Sequence, residues 1–232
     1  MEMAVANLIE PGDRVLLVST GYFRERFGAI CERYGAQVDQ VKARLGDAPS
    51  VEEVRSTLES NDYKALLVTH VDISTGVLAE VASLADEARR TEALSIVDGV
   101  CAIAAEEFRQ DEWGVYVSPT SSQKAIGVPP GLAILVVSQR AMEVFKRRRA
   151  PVVNYYADFA NWLPVMEAYE GRKVGYFGTP PVNLIYALHE SLRLILAEGM
   201  EARFRRHRLI SQAFKAGMEV LGLKGVPLRE VF

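Results

Sequence analysis

Cysteine and histidine are scarce in this chain, with two cysteines and three histidines among 232 residues. Cys31 and Cys101 cannot build a disulfide framework and lack the C-x-x-C spacing of a metal site. Cys31 fits the buried face of a helix, and Cys101, three residues after Asp98, fits a small core position. His70, His189 and His207 are too scattered for zinc binding or a serine-hydrolase triad. There is no signal-peptide pattern and no apolar run of membrane-spanning length, which makes the cytoplasm the default location. Positive charge is not in excess: the formal net charge is −3 and the pI about 5.8, so nothing draws the chain to nucleic acid or an anionic membrane. The one dense basic run, Lys146-Arg147-Arg148-Arg149, reads as a solvated helix end. A dinucleotide fingerprint is also missing. Gly21-Tyr22-Phe23-Arg24-Glu25-Arg26 follows the first strand-like run, and its side chains are too bulky for a pyrophosphate to approach the backbone.

What is present is a chain 49% hydrophobic and 25% charged, able to bury a substantial core. Arg14 to Ser19 reads as a buried strand after the Pro11-Gly12-Asp13 turn, and residues 23 to 34 have helical spacing that stops at Gly35. A strand around Gln37 to Val41 follows. Ser50 with Glu53 forms the signature of a capping box opening a helix. Ala65 to Thr69 is another apolar strand, and residues 78 to 90 suit a helix with acids early and arginines late. Further strands are expected near Leu94 to Val97, Val115 to Val117 and Leu132 to Val137. The alternation predicts an α/β fold with a mostly parallel sheet and helices on both faces. Residues 151 to 181, rich in proline and aromatics, read as an irregular packing segment. From Val182 two long helical stretches run to about Leu223, with a break near Gly199.

Chemistry enters with Lys124 and Asp98. A pyridoxal phosphate site needs a lysine amine for the cofactor aldehyde and a carboxylate that keeps the pyridine nitrogen protonated. Most Asp and Lys residues are solvated charges, so spacing alone says little. These two, however, sit where strands of an α/β sheet end: Asp98 closes Leu94-Ser95-Ile96-Val97, and Lys124 lies between Val115-Tyr116-Val117 and the turn Gly127-Val128-Pro129-Pro130-Gly131. An aromatic at a strand's C-terminal end suits stacking on a pyridine ring. Phe23 has that place, with Tyr22 as the alternative.

Asp98-Gly99-Val100, Glu106-Glu107-Phe108, Trp113-Gly114-Val115, Ser122-Gln123-Lys124-Ala125 and Pro129-Pro130-Gly131 together resemble the core of class V aminotransferases, in the branch of alanine–glyoxylate and serine–glyoxylate aminotransferases. The resemblance runs through nearly the whole chain. It implies the aspartate aminotransferase-like fold of pyridoxal 5'-phosphate enzymes (fold type I), with a cofactor-binding large domain over 1–181 and helices over 182–232 leading to a small C-terminal domain. It further implies that Phe23 stacks on the ring, that Ser74 or Thr75 of Ser74-Thr75-Gly76 approaches the cofactor 3-hydroxyl, and that Val100 packs on the ring's other face. Gln123 resembles the residue that hydrogen-bonds the phosphate or its neighbourhood. Tyr176 and Thr179 are similar to residues that reach the neighbouring subunit's phosphate in a homodimer, which makes the site a shared one. Read for themselves, Ser74 and Thr75 are a helix cap, and Tyr176 and Thr179 belong to a proline-rich loop.

The implied activity is transfer of an amino group from alanine or serine to a 2-oxo acid such as glyoxylate, with Lys124 as nucleophile and general base and Asp98 as the ring's counter-charge. The family's phosphate-binding turn would precede Met1 and its substrate arginine would follow Phe232, so the resemblance also implies a fragment, or a short gene product, with incomplete anchors. Cysteine desulfurases of the superfamily place histidines where this chain has Phe23 and Gln123. A non-catalytic or degenerate subunit of the same fold, hydrogenase-associated or a dimerisation partner, is the alternative from another class.

Overall fold

The structure is a computed structural model describing residues 1–228. Its strands are β1 (Arg14–Ser19), β2 (Gln37–Lys42), β3 (Ala65–Thr69), β4 (Val71–Asp72), β5 (Val77–Leu78), β6 (Leu94–Asp98), β7 (Val117–Ser121) and β8 (Ala133–Val137). Six of them form one sheet in the order β2-β1-β3-β6-β7-β8. It is parallel from β2 to β7 and closes with the antiparallel pair β7–β8. The helices are α1 (Glu2–Leu8), α2 (Tyr22–Arg33), α3 (Val51–Ser60), α4 (Val81–Arg90), α5 (Gln110–Trp113), α6 (Gln139–Lys146), α7 (Phe159–Glu170), α8 (Val182–Glu198) and α9 (Met200–Val220). Among the described residues no helix is long and apolar enough to cross a membrane.

The central strands are apolar on both faces because both are covered. Alternate residues serve two cores, as the two-residue side-chain period requires. Leu17, Leu67, Ile96 and Val117 pack with Val5 and Leu8 of α1, Phe27 of α2 and Ala141 of α6. Their neighbours Leu16, Val18, Leu66, Val68 and Val97 pack with Val54 and Leu58 of α3 and Leu84 and Ala88 of α4. Asp98 continues the alternation of Leu94 and Ile96, so it faces the α1–α2 side, in register with Thr69 on β3.

The capping box at Ser50 forms, with Glu53 N–H donating to Ser50 Oγ and Ser50 N–H to Glu53 Oε2 at 2.8 Å. Cys31 is fully buried, and burial pushes its thiol up to about 12. The break at Gly199 adopts φ 83°. Four expectations are corrected. First, α4 begins at Val81 rather than at 78, because Val77–Leu78 pairs with Val71–Asp72 in a small hairpin around Ser74-Thr75-Gly76. Second, the strand expected at Val115 to Val117 runs Val117–Ser121 instead. Gly114 in the left-handed region ends α5, and pairing with β8 carries the strand through Pro119 to Ser121. Third, the stretch 151–181 contains helix α7, capped by Asp158, whose Oδ1 accepts Ala160 N–H at 2.9 Å. Fourth, Cys101 is half-buried rather than a core residue.

The hairpin β4–β5 locks onto the start of α2. The approach at Gly21 is so close that a Cβ there would lie 2.4 Å from Asp72 Cγ and 2.5 Å from Ser74 Oγ. Just before the hairpin, His70 is buried against Phe108 and Trp113, with ring centroids 5.7 and 6.3 Å away. Burial without a partner for Nδ1 pushes the imidazole down to about 4.

Two outcomes follow from this packing. Gly21→Ala forces the hairpin off α2 and lowers unfolding stability by about 1–3 kcal/mol, read from urea melts; an unchanged midpoint would show that the two segments are not in contact. His70 is neutral when folded but binds a proton when unfolded between pH 6.5 and about 4. Its contribution is therefore complete above pH 6.5 and lost as pH falls toward 4. The difference in stability between wild type and His70→Gln should shrink over that window by up to about 3 kcal/mol, and a pH-independent difference would refute it.

Candidate active site

In a parallel α/β sheet, ligands bind beyond the carboxyl ends of the strands, where loops diverge and helix N-termini point inward. Here those ends bring together Thr20 to Phe23 after β1, His70 to Gly76 after β3, Asp98 to Val100 after β6 and Ser121 to Lys124 after β7. Buried side-chain atoms without a partner gather at this edge. Thr20 Oγ1, Thr69 Oγ1, His70 Nδ1 and Ser121 Oγ are all enclosed and unbonded. Buried polar groups are nearly always paired, so such a cluster marks an edge built to meet something polar.

Asp98 is 3% exposed. Its Oδ1 accepts Val100 N–H at 3.1 Å. Burial pushes the carboxyl above its ordinary range, the Val100 bond and the charge of the Met1 ammonium oppose this, and the nearby Asp72 carboxylate adds to it. The carboxylate is thus one that a cationic partner would stabilise in its charged form. The turn that follows is tight: Gly99 N–H donates to Pro119 O at 3.0 Å, and Thr120 Oγ1 to Gly99 O at 3.3 Å, tying the ends of β6 and β7 together.

Lys124 stands exposed on a loop whose base is pinned by Ser122. Ser122 is fully buried; its Oγ donates to Pro129 O at 2.8 Å, and its backbone bonds both Leu132 and Val128. Gly127 N–H closes the turn onto Lys124 O at 2.9 Å. Burial pushes the Cys101 thiol up, the charge of Lys124 opposes this, and those of Asp98 and Asp72 add to it. Gln123 is exposed beside Lys124.

Phe23 is half-buried at the start of α2. Arg26 lies over its ring, with Cζ 5.3 Å from the centroid. Gly21 supplies no side-chain cap to α2, so the first N–H groups are capped from the neighbouring hairpin. Tyr22 N–H donates to Ser74 Oγ at 2.8 Å and Phe23 N–H to Asp72 Oδ2 at 3.0 Å. Asp72 Oδ1 in turn accepts from Ser74 Oγ at 2.6 Å. Thr75 is buried, with Oγ1 donating to Thr20 O at 2.7 Å. Ser74 therefore does cap a helix, but it is α2, across the sheet edge, and not the helix that follows it in sequence.

Asp72 escaped the sequence reading. The run Asp72-Ile73-Ser74 carries a signal in hindsight, since an Asp two residues before a Ser or Thr is suited to an Asx turn. Val100 sits half-buried directly beside Asp98. Tyr176 and Thr179 lie apart from this group on an exposed segment, with their hydroxyl oxygens 3.1 Å from one another.

Comparison with known proteins identifies the family. The aminotransferase class-V family model matches residues 1–226. Alanine–glyoxylate aminotransferase 1 of Saccharomyces cerevisiae is 43% identical over 210 residues, covering 88% of this chain and 54% of that protein. The soluble hydrogenase small subunit of a Synechococcus species is 34% identical, covering 96% and 57%. The crystal structure of an alanine–glyoxylate aminotransferase from a Nostoc species superposes with a TM-score of 0.89 at 35% identity, covering 97% of this chain and 58% of that one. The chain spans just over half the length of these relatives. With a sheet of this order, an acid and a lysine at its carboxyl edge, and a family match over almost every residue, the chain belongs to the class V aminotransferases.

Proposed function

We propose that this chain carries the ring-binding and lysine-bearing part of a pyridoxal phosphate-dependent aminotransferase that moves an amino group from alanine or serine to glyoxylate or a similar 2-oxo acid. The observation that carries the reading is the buried carboxylate of Asp98 sharing one strand-end edge with the exposed amine of Lys124. Membership of the family implies pyridoxal 5'-phosphate as cofactor.

The residues present fit that group. A ring nitrogen bearing a proton would stabilise the charged form of the Asp98 carboxyl, which burial pushes up, and the hydroxyls of Thr20, Thr69 and Ser121 near the same edge have no partner within the fold. Pyridoxal phosphate, when bound, supplies an electron sink conjugated to the substrate's nitrogen. Asp98 holds the proton on the ring nitrogen. Lys124 Nζ would hold the cofactor by its aldehyde and, as a free amine, would move the proton at the donor's Cα. Phe23 and Val100 would flank and orient the ring, Gln123 would bond the phosphate or its surroundings, and Ser74 or Thr75 would lie toward the 3-hydroxyl. The choice of glyoxylate draws on the names of the yeast and Nostoc proteins.

The exposure of Tyr176 and Thr179, with exposed Tyr155, Tyr156 and Tyr169 on neighbouring segments, supports a homodimer in which both residues serve the adjacent site. The similarity to a hydrogenase small subunit favours one second reading, a subunit that keeps the fold without turnover.

Borohydride reduction of the protein with pyridoxal phosphate, followed by peptide mapping, is expected to leave the adduct on Lys124, and Lys124→Ala should lose it together with about 10³-fold or more of transaminase turnover. An adduct elsewhere sinks the assignment. Trapping on Lys124 without any turnover in the presence of alanine or serine and glyoxylate selects the non-catalytic reading. Asp98→Asn is expected to keep the adduct while slowing proton exchange at the donor Cα by about 10²-fold or more; wild-type exchange in that variant would remove Asp98 from the mechanism.

A further inference from the structure

We infer that Arg203 is a positioning residue for the active site, setting the separation of Asp98 and Lys124 by clamping the two turns that follow them. The inference rests on the assignment of those two residues given above.

Arg203 lies in the first turn of α9, outside every motif that marks the site in sequence. Its side chain is only 12% exposed. The guanidinium uses all three nitrogens on different parts of the chain. Nε donates to Ala104 O at 2.7 Å, at the end of the turn that begins at Asp98. Nη2 donates to Ala125 O, the carbonyl next to Lys124. Nη1 bonds Glu198 Oε2 at 2.9 Å, at the C-terminal end of α8. Glu198 is a fixed anion, held down to about 2 by Arg206 first and by Arg203 after it. One planar cation thus joins the acid's turn, the lysine's loop and the helical pair α8–α9.

The sheet alone does not hold these two turns at a fixed distance. Strands β6 and β7 are in register at Ile96 and Val117, and beyond that point their ends are linked by Gly99 N–H to Pro119 O and by Thr120 Oγ1 to Gly99 O. Ala104 adopts φ 71°, a left-handed conformation that a residue with a Cβ resists. Such a backbone persists only where its surroundings hold it, and here the carbonyl is held by Arg203. Below the clamp, Ile195 of α8 packs on Ala104, Ile126 and Val128, with Leu184, Leu188 and Met200 around them. Ser191 Oγ bonds Ile126 O from the same helix. The apolar contacts fix the two turns in height, and the guanidinium fixes them laterally, because only a planar fork reaches carbonyls in two directions while keeping its ion pair.

The test uses the full-length protein with Arg203→Met, which keeps the apolar stem, and Arg203→Lys, which keeps the charge opposite Glu198 but not the fork. Amide exchange by mass spectrometry is read for peptides covering 99–105 and 122–128 without cofactor; turnover and the pH midpoint of the lysine-bound cofactor absorbance are read with it. Expected in both variants are exchange faster by about tenfold or more in the two turns, with the strands β1 and β3 unaffected. The pH midpoint should shift and kcat should fall by about tenfold or more at nearly unchanged KM, as a displaced but intact catalytic group requires. Wild-type exchange, pH midpoint and kcat in Arg203→Lys overturn the inference, and that variant serves alone if Arg203→Met does not fold. Faster exchange with midpoint and kcat unchanged overturns it too, since the clamp would then be structural only. Absence of a borohydride-trapped adduct on Lys124 in the wild type would instead defeat the active-site assignment itself.

Discussion

The parallel ladder between β3 and β6 is the interaction on which the site depends. Its five register pairs, from Ala65 with Leu94 to Thr69 with Asp98, deliver a carboxylate to the end of a strand that is buried on both faces. A carboxylate so placed cannot swing out to water without pulling Val97 and Ile96 from two cores at once. Its position is therefore fixed by the most strongly packed part of the molecule, and the flexible parts are arranged around it. That is the usual division of labour in α/β proteins, in which a rigid sheet holds the loops that do chemistry.

The loops themselves satisfy one another rather than their own elements. Helix α2 starts at Gly21, which has no side chain to cap it, and takes its caps from Ser74 and Asp72 of the hairpin. The carbonyls of Ala104 and Ala125 take theirs from Arg203, on the last helix. Each borrowed bond ties two chain segments that are remote in sequence, so two polar clusters, one at the start of α2 and one around Arg203, hold loops that no single strand or helix spans. Substitution at Gly21 is costly for that reason: a methyl group there would separate Asp72 from the amide it caps.

What could be read from the sequence follows from whether the signal was local. The near-continuous apolar runs of Arg14–Ser19, Ala65–Thr69 and Leu94 to Val97 and the Ser50 capping box depend on neighbours a few residues away, and the structure has strands and the cap there, the third strand running on to Asp98. Strand β7 did not declare itself, because Val117-Ser118-Pro119-Thr120-Ser121 is polar and proline-bearing and becomes a strand by pairing with β8. Helix α7 was masked in the same way by Pro164 and the prolines on either side of it. Of the candidate site, Lys124, Asp98 and Phe23 could be proposed from their place at strand ends. Asp72 and Arg203 were not, since what makes them matter is a partner 49 or more residues away, a relation that propensity and spacing do not encode.

The distribution of unfavourable terms across the molecule points the same way. Enclosed hydroxyls without partners, a buried imidazole held neutral, a carboxyl pushed up by burial and a left-handed alanine all lie at the one edge or in the turns directly behind it. Each of these costs about 1–3 kcal/mol when nothing compensates it. Elsewhere such features are scattered, as at the left-handed Glu92 and Arg172, while Asp158 and Ser138 cap their helices and Asp86 pairs with Arg89 and Arg90 within α4. A fold selected for stability alone would relieve the edge first, with apolar residues in place of Thr20, Thr69 and Ser121. Polar groups retained there give the edge something to gain from a polar, cationic ligand, because a ligand that binds only the folded state stabilises it by an amount that grows with its affinity.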